Sequence, residues 1–211
     1  MATRRREPSP RVLSPDVPGR PGPGARHVVL VGVAAVGKTT LGRLVGPRVG
    51  IPFVDHDEFM EQRHGVSIAE LAEEADGDAR IDALLWEAYE DLMRLPQRVL
   101  VAASPRLLGR RAFWRLTRAR AMSVHLRGTP LRVLRQDVAL QRGIPLEEVR
   151  LTQALRAHFY RYYWWRLRHC QHADVELRLT GDLEADAARL AELVVRLVGG
   201  GRPAEGSAGS G

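Results

Sequence analysis

A chain of 211 residues, 45% of them hydrophobic, holds material for one sizeable core, and at this length that means one domain with tails. No run approaches the ~20 apolar residues of a membrane span, and Arg4-Arg5-Arg6 is not followed by the apolar stretch of an export signal. The single cysteine, Cys170, excludes an internal disulfide framework and a cysteine-pair zinc site, which points to a reducing, cytoplasmic setting.

The net charge of +7 is uneven. Residues 1–26 set six Arg against Glu7 and Asp16, so most of the excess sits outside the core and does not mark a nucleic-acid-binding domain. Among 32 basic residues only Lys38 is a lysine, and asparagine is absent. Such a bias against residues with A-rich codons singles out a surviving lysine as one that does what arginine cannot.

Residues 1–26 hold six of the 13 prolines and no periodic pattern, which predicts a disordered basic arm. His27–Val31 reads as a buried strand, followed by a helix from Lys38. Pro47 would remove a helical hydrogen bond, so that helix is expected to bend or end near Gly46. Pro52–Val54 is a short strand entering Asp55. Ser67-Ile68-Ala69-Glu70 is a capping box that starts a short helix. Ile81, Leu84, Leu85, Ala88 and Leu92 mark one face of a longer helix. Arg98–Ala103 and Met122–Leu126 are strand-like, and Thr129-Pro130 caps a further helix with Pro at its first position. Val175–Leu179 is a last strand, and Leu183, Ala187, Leu190, Leu193 and Leu197 mark a last helix. Residues 199–211 read as a flexible Gly/Ser tail. Strand–helix alternation with five strands predicts an α/β fold: a parallel sheet with helices on both faces over residues 27–198.

Gly32-Val33-Ala34-Ala35-Val36-Gly37-Lys38-Thr39 satisfies G-x-x-x-x-G-K-[ST], directly after a strand and opening a helix. The glycines let successive backbone N–H groups face a phosphate, and the helix N-terminus adds partial positive charge. Lys38 supplies a compact ammonium to the terminal phosphates, and Thr39 offers a hydroxyl to Mg²⁺, with Thr40 beside it. ATP and Mg²⁺ are the implied ligands. Downstream, Asp55 and Asp57 form a D-x-D pair at the exit of a strand. One carboxylate there can hold Mg²⁺ and the other can accept from a substrate hydroxyl; the competing reading is an N-cap for a helix over 58–64.

Lys38 through Asp57, KTTLGRLVGPRVGIPFVDHD, resembles the shikimate kinase family of small phosphate-loop kinases, and a looser likeness extends over residues 27–198. The resemblance implies a P-loop NTPase-type five-stranded parallel sheet, ATP and Mg²⁺, and a sugar-like hydroxyl acceptor. It gives Asp55 the metal role and Asp57 the substrate role. It also places Arg135 against the adenine and Arg142, seven residues on, as a lid arginine over the phosphates. His56 is left as a spacer.

The acceptor half departs from the family. The usual three glycines after the third strand are Ala103-Ser104-Pro105, and Asp82 stands where the family has a carboxylate-binding Arg, with Arg80 nearby. A later substrate Arg is either Arg161, favoured by spacing, or Arg156. On these grounds shikimate is expected to be a poor substrate, held by Asp57, Arg80, Ser104 and Arg161. The segment 158–172, HFYRYYWWRLRHCQH, holds six of the twelve aromatics and either packs on the core or stacks a partner's rings. The leading expectation is an ATP-dependent small-molecule kinase acting as a monomer, with no membrane or nucleic-acid partner. The alternatives are a catalytically degenerate nucleotide-binding regulator and a gluconate- or nucleotide-type kinase.

Overall fold

In the computed structural model the described residues are 27–199. The expected arm and all of the expected tail beyond Gly199 lie outside them. Five strands run β1 His27–Val31, β2 Phe53–Asp55, β3 Leu100–Ala102, β4 Ala121–Arg127 and β5 Val175–Arg178. All pairings are parallel and the spatial order is β2-β3-β1-β4-β5. Among the described residues eight α-helices connect or cover them: α1 Lys38–Val49, α2 His56–His64, α3 Ile68–Ala72, α4 Gly77–Leu92, α5 Arg111–Arg120, α6 Pro130–Arg142, α7 Gln153–Cys170 and α8 Leu183–Gly199. Gly199, the first residue of the expected tail, is therefore the last of α8.

Alternation along β1 divides the core in two. Val28 and Leu30 face Leu41 and Val45 of α1, Val133 and Val138 of α6, and Leu190 and Val194 of α8. Val29 and Val31 face Met60 of α2, Leu71 of α3, Ile81, Leu85 and Ala88 of α4, and Phe113 and Trp114 of α5. The expected apolar face of α4 is the one that packs, with Leu84 only partly buried. Helix α5 has no counterpart in the sequence reading.

Helix α1 does not end near Gly46. It runs through Pro47 to Val49 and is closed by Gly50 in the left-handed region, at φ +67°. Pro47 lies in the last turn, so the missing N–H costs one hydrogen bond. Gly42 and Gly46 meanwhile lay the helix directly on Phe53: a Cβ at Gly42 would fall 2.0 Å from the Phe53 ring, and one at Gly46 would fall 2.9 Å from the Ile51 carbonyl oxygen. The capping box of α3 is present in full, Ser67 accepting from the Glu70 N–H and Glu70 from the Ser67 N–H. Thr129 sits at the N-cap of α6 but makes no side-chain cap bond; its carbonyl accepts from the Val133 N–H at 3.0 Å.

Gly77 opens α4 against the end of α3, where an added Cβ would lie 1.8 Å from the Leu71 carbonyl oxygen. That atom is backbone and cannot swing away. Gly77→Ala is expected to destabilise the fold by about 2 kcal/mol, the middle of the overpacking range. For a domain of this size that is a fall of about 4–8 °C in Tm by thermal denaturation. An unchanged Tm would show that α3 moves freely against α4.

Candidate active site

The phosphate loop leaves β1 at Gly32, where an added Cβ would lie 2.8 Å from the Leu126 carbonyl oxygen of β4. Ala35 and Gly37 are left-handed, at φ +57° and +104°, which turns the loop so that it feeds straight into α1. Lys38 is buried, and its Nζ donates to the carbonyls of Gly32 at 3.1 Å and Val33 at 2.9 Å. The ammonium folds back across the loop and closes it. Burial lowers the Lys38 pKa to about 8, although Asp57 and Asp55 both favour its charge. Thr40 is exposed on the first turn of α1.

Asp55 bonds both to Thr39 and to the start of α2. Its Oδ2 accepts from the Thr39 hydroxyl at 2.6 Å, while Oδ1 accepts from the backbone N–H groups of Asp57 at 3.0 Å and Glu58 at 3.4 Å. It therefore N-caps α2, which starts at His56, and also holds the hydroxyl that the motif offers to a metal. A hard divalent cation suits this set of a hydroxyl and a carboxylate.

Asp57 lies one residue into the helix. Its Oδ1 is shut off from solvent and has no hydrogen-bond partner among the described residues. Burial raises its pKa; the Ser104 side chain opposes that shift, Asp55 adds to it, and Lys38 opposes it. The result is a carboxylate with one oxygen uncommitted and a proton affinity above the ordinary, beside the phosphate-loop ammonium. That combination suits a group that accepts a proton from a substrate hydroxyl.

His56 is not a spacer. It is fully buried, its Nε2 lies 2.8 Å from the Leu85 carbonyl oxygen, and its Nδ1 accepts from the Ser104 N–H at 3.3 Å. Ser104 is itself buried at the exit of β3.

The arginines are placed less as the sequence suggests. Arg80 is exposed and committed to Glu74 at 2.6 Å, so it is not brought to the acceptor end. Arg161 is exposed and makes no hydrogen bond or ion pair among the described residues; Arg156 is exposed as well. The α7 arginine that turns inward is Arg166, whose guanidinium donates to the Pro105 carbonyl and acts electrostatically on Lys38. Asp82 does not stand free: Arg106, in the single turn Pro105–Gly109 that follows β3, bonds it at 2.6 Å and Asp78 at 3.0 Å. Arg135 ties α6 to the next connection through the Leu146 carbonyl at 3.2 Å. Arg142 is exposed in the last turn of α6. Sequence reasoning missed His56, Arg106 and Arg166. The signal available for Arg166 was its position on the aromatic segment.

That segment packs on the core in part. Phe159 and Tyr163 are buried, and the Tyr163 hydroxyl donates to the Gly128 carbonyl at 2.9 Å. Trp164 and Trp165 stay half-exposed. Trp164 helps line a cavity of about 600 Å³ between α7 and strands β4 and β5, with His125, Arg127, Arg168, Cys170 and Glu176 among its walls. Neither the phosphate loop nor Asp57 contributes to its walls.

A five-stranded parallel sheet in this order, with a closed phosphate loop facing a D-x-D pair, defines a phosphate-loop nucleotide-binding protein built like a small-molecule kinase. The family model described as shikimate kinase matches residues 34–173. The chain belongs to the shikimate kinase family. It is 34% identical over 140 residues to a shikimate kinase of Paracidovorax citrulli, covering 63% of this chain and 75% of that one. It is 43% identical over 70 residues to a shikimate kinase of Bradyrhizobium diazoefficiens, where the match spans only 34% of the relative's length. Among solved structures, shikimate kinase from Bacteroides thetaiotaomicron superposes with a TM-score of 0.67 at 19% identity, over 80% of this chain and 98% of that one. The Acinetobacter baumannii enzyme, solved in complex with shikimate, gives 0.66 at 20% identity, over 83% and 93%. At these identities the structural likeness speaks for the fold.

The lowered Lys38 pKa has a measurable consequence. Phosphate charge favours the ammonium and raises its pKa on binding. Above pH 8 the free protein holds much of Lys38 neutral, so Mg·ATP binding there takes up a proton; near pH 6.5 the lysine is already charged and no uptake follows. Calorimetry at pH 8.5 in buffers of different ionisation enthalpy is expected to show uptake that Lys38→Ala abolishes. Buffer-independent heats at pH 8.5 would refute the placement.

Proposed function

We propose that the protein transfers the γ-phosphate of ATP to a hydroxyl of shikimate or a related cyclic polyol. The observation that carries this reading is the shielded, uncommitted Asp57 Oδ1 in the electrostatic reach of Lys38. The family's curated members named shikimate kinase support the choice of acceptor.

Lys38 exchanges the Gly32 and Val33 carbonyls for phosphate oxygens, and the loop N–H groups from Val33 to Thr39 line the same anion. Thr39 and Asp55 would hold Mg²⁺, which supplies charge neutralisation on the phosphates when bound. Asp57 orients the acceptor hydroxyl and takes its proton as the oxygen attacks. Arg142, next to the left-handed Gly143, is the lid residue that closes on the phosphates, and Arg135 anchors that lid through Leu146. Arg166 is the guanidinium on the acceptor side, and Ser104 the neighbouring hydroxyl. Because Arg106 neutralises Asp82, the α4 side neither grips nor strongly repels an acceptor carboxylate. With one arginine in place of two, the carboxylate forfeits one charge-assisted partner, roughly 1.5–3 kcal/mol.

ADP release over a panel of cyclic polyols and sugar acids tests the proposal; no acceptor-dependent release with any of them would overturn it. Shikimate is expected to turn over with kcat/KM below ~10⁴ M⁻¹s⁻¹. Arg166→Met should raise its KM at least tenfold without altering ATP affinity, and an unchanged KM would remove Arg166 from the acceptor site.

The two aspartates should separate cleanly. Asn caps a helix as well as Asp does, so Asp55→Asn preserves α2 and is expected to raise the Mg²⁺ requirement. Asp57→Asn is expected to lower kcat by about 10²–10⁴-fold with ATP affinity nearly intact. Equal losses of ATP binding in both variants would sink this division.

A further inference from the structure

His56 occupies a place where three elements converge. It is the first residue of α2, directly before Asp57. Its Nε2 faces the carbonyl of Leu85 in the middle of α4, and its Nδ1 faces the amide of Ser104, where the chain leaves β3. The edge of the ring meets Tyr89 of α4, with ring centroids 5.6 Å apart. A carbonyl accepts and an amide donates, so the partners dictate the tautomer: Nε2 carries the proton and Nδ1 is bare. A second proton would set an N–H against the Ser104 N–H. Burial with those partners holds the ring neutral throughout the physiological range, its pKa lowered to about 4. The ring is thus a fixed cross-brace rather than a titrating group.

The brace matters because of what flanks it. The Ala103 N–H is taken by the Leu30 carbonyl at 3.0 Å, the last sheet bond on this side. Ser104 is the first residue past that bond, and without His56 its buried N–H would have no acceptor. The Ser104 side chain acts in turn on the Asp57 carboxylate. One ring therefore sets both the backbone that precedes Asp57 and the hydroxyl beside it.

We propose that His56 is a positioning residue for Asp57: its ring ties the exit of β3, through the Ser104 amide, to α4, through the Leu85 carbonyl, and so fixes where the next residue presents its carboxylate. The inference rests on the phosphotransfer reading for its rate effects, and on the geometry alone for its effect on Asp57.

Two pairs of variants separate the arms of the brace. In His56→Asn the amide oxygen can still accept from Ser104 but nothing reaches Leu85; in His56→Gln the longer amide reaches Leu85 and gives up Ser104. Ser104 has φ −58° and ψ 132°, which proline adopts without strain, so Ser104→Pro deletes the N–H that His56 receives. Ser104→Ala keeps that N–H and deletes only the hydroxyl. Each variant is assayed for Mg·ATP affinity and for kcat/KM of the acceptor against pH. Each is also followed by carbon-13 NMR titration of the Asp57 carboxyl in the ligand-free protein.

The expected result is ATP affinity within about twofold of wild type in all four. In His56→Gln and Ser104→Pro, kcat/KM should fall about tenfold or more, a fraction of the 10²–10⁴ that a positioned base supplies. His56→Asn should retain more activity than His56→Gln. Ser104→Ala should move the acid limb of the profile and the Asp57 titration to higher pH together. If the His56 variants fail to fold, the Ser104 pair carries the comparison. Turnover and Asp57 titration both unmoved in folded His56→Gln and Ser104→Pro would overturn the proposal. A shifted titration in a protein that phosphorylates no acceptor would support the positioning role and defeat the phosphotransfer reading.

Discussion

The site depends on one row of the sheet. Leu30 of β1, Ala102 of β3 and Asp55 of β2 stand side by side in parallel register. Each strand then gives up its site residue two positions further on: Gly32 opens the phosphate loop, Ser104 the acceptor wall, and Asp57 the carboxylate. Parallel strands bring all three exits to the same edge, as the crevice at the carboxyl ends of such sheets requires. A slip of one residue in β2 would turn Asp55 away from Thr39 and carry Asp57 out of reach. The packing of Phe53 and Val54 against opposite core clusters is what forbids that slip.

Electrostatics then acts on groups whose positions are already set. Lys38 is deep enough to lose part of its charge preference, and two aspartates nearby restore some of it. Asp57 is pushed the other way by the same burial. An ammonium that sheds its proton more easily and a carboxylate that holds one more readily are drawn toward each other's range, which suits a site where a proton changes hands. Away from this centre, charges are paired off: Arg106 between Asp78 and Asp82, Arg80 on Glu74, Arg127 and Arg178 on Glu176.

What could be read from the sequence divides along the same line. The phosphate loop, the D-x-D pair and the alternation of strands with helices follow from local pattern, because backbone conformation at Gly32 to Thr39 and alternation along β1 are local facts. Helix α5 escaped notice because Arg111–Arg120 carries four arginines around a narrow apolar face, and only burial of Phe113, Trp114 and Thr117 shows which side is inside. The positions of the α7 arginines were harder to read for a related reason. Among 31 arginines, spacing cannot tell Arg161 from Arg166, since what separates them is which side of α7 faces Pro105. His56 looked like filler because its partners, Leu85 and Ser104, lie 29 and 48 residues away.

The acceptor wall illustrates how a lost motif can leave a working surface of a different kind. Where the family's glycines let backbone approach the acceptor, this chain has Ala103-Ser104-Pro105. The Ala103 N–H is spent on Leu30, the Ser104 N–H on His56, and Pro105 has none. No backbone donor on that stretch remains for an acceptor. The polar groups left there are side chains: the Asp57 carboxylate, the Ser104 hydroxyl and the Arg166 guanidinium, the last aimed by the Pro105 carbonyl. A backbone wall reads shape closely and tolerates little; a side-chain wall reads hydrogen-bonding groups and can be re-aimed by single substitutions. On the proposed phosphotransfer reading, selectivity among cyclic polyols would therefore reside in Ser104, Arg166 and the residues that hold them.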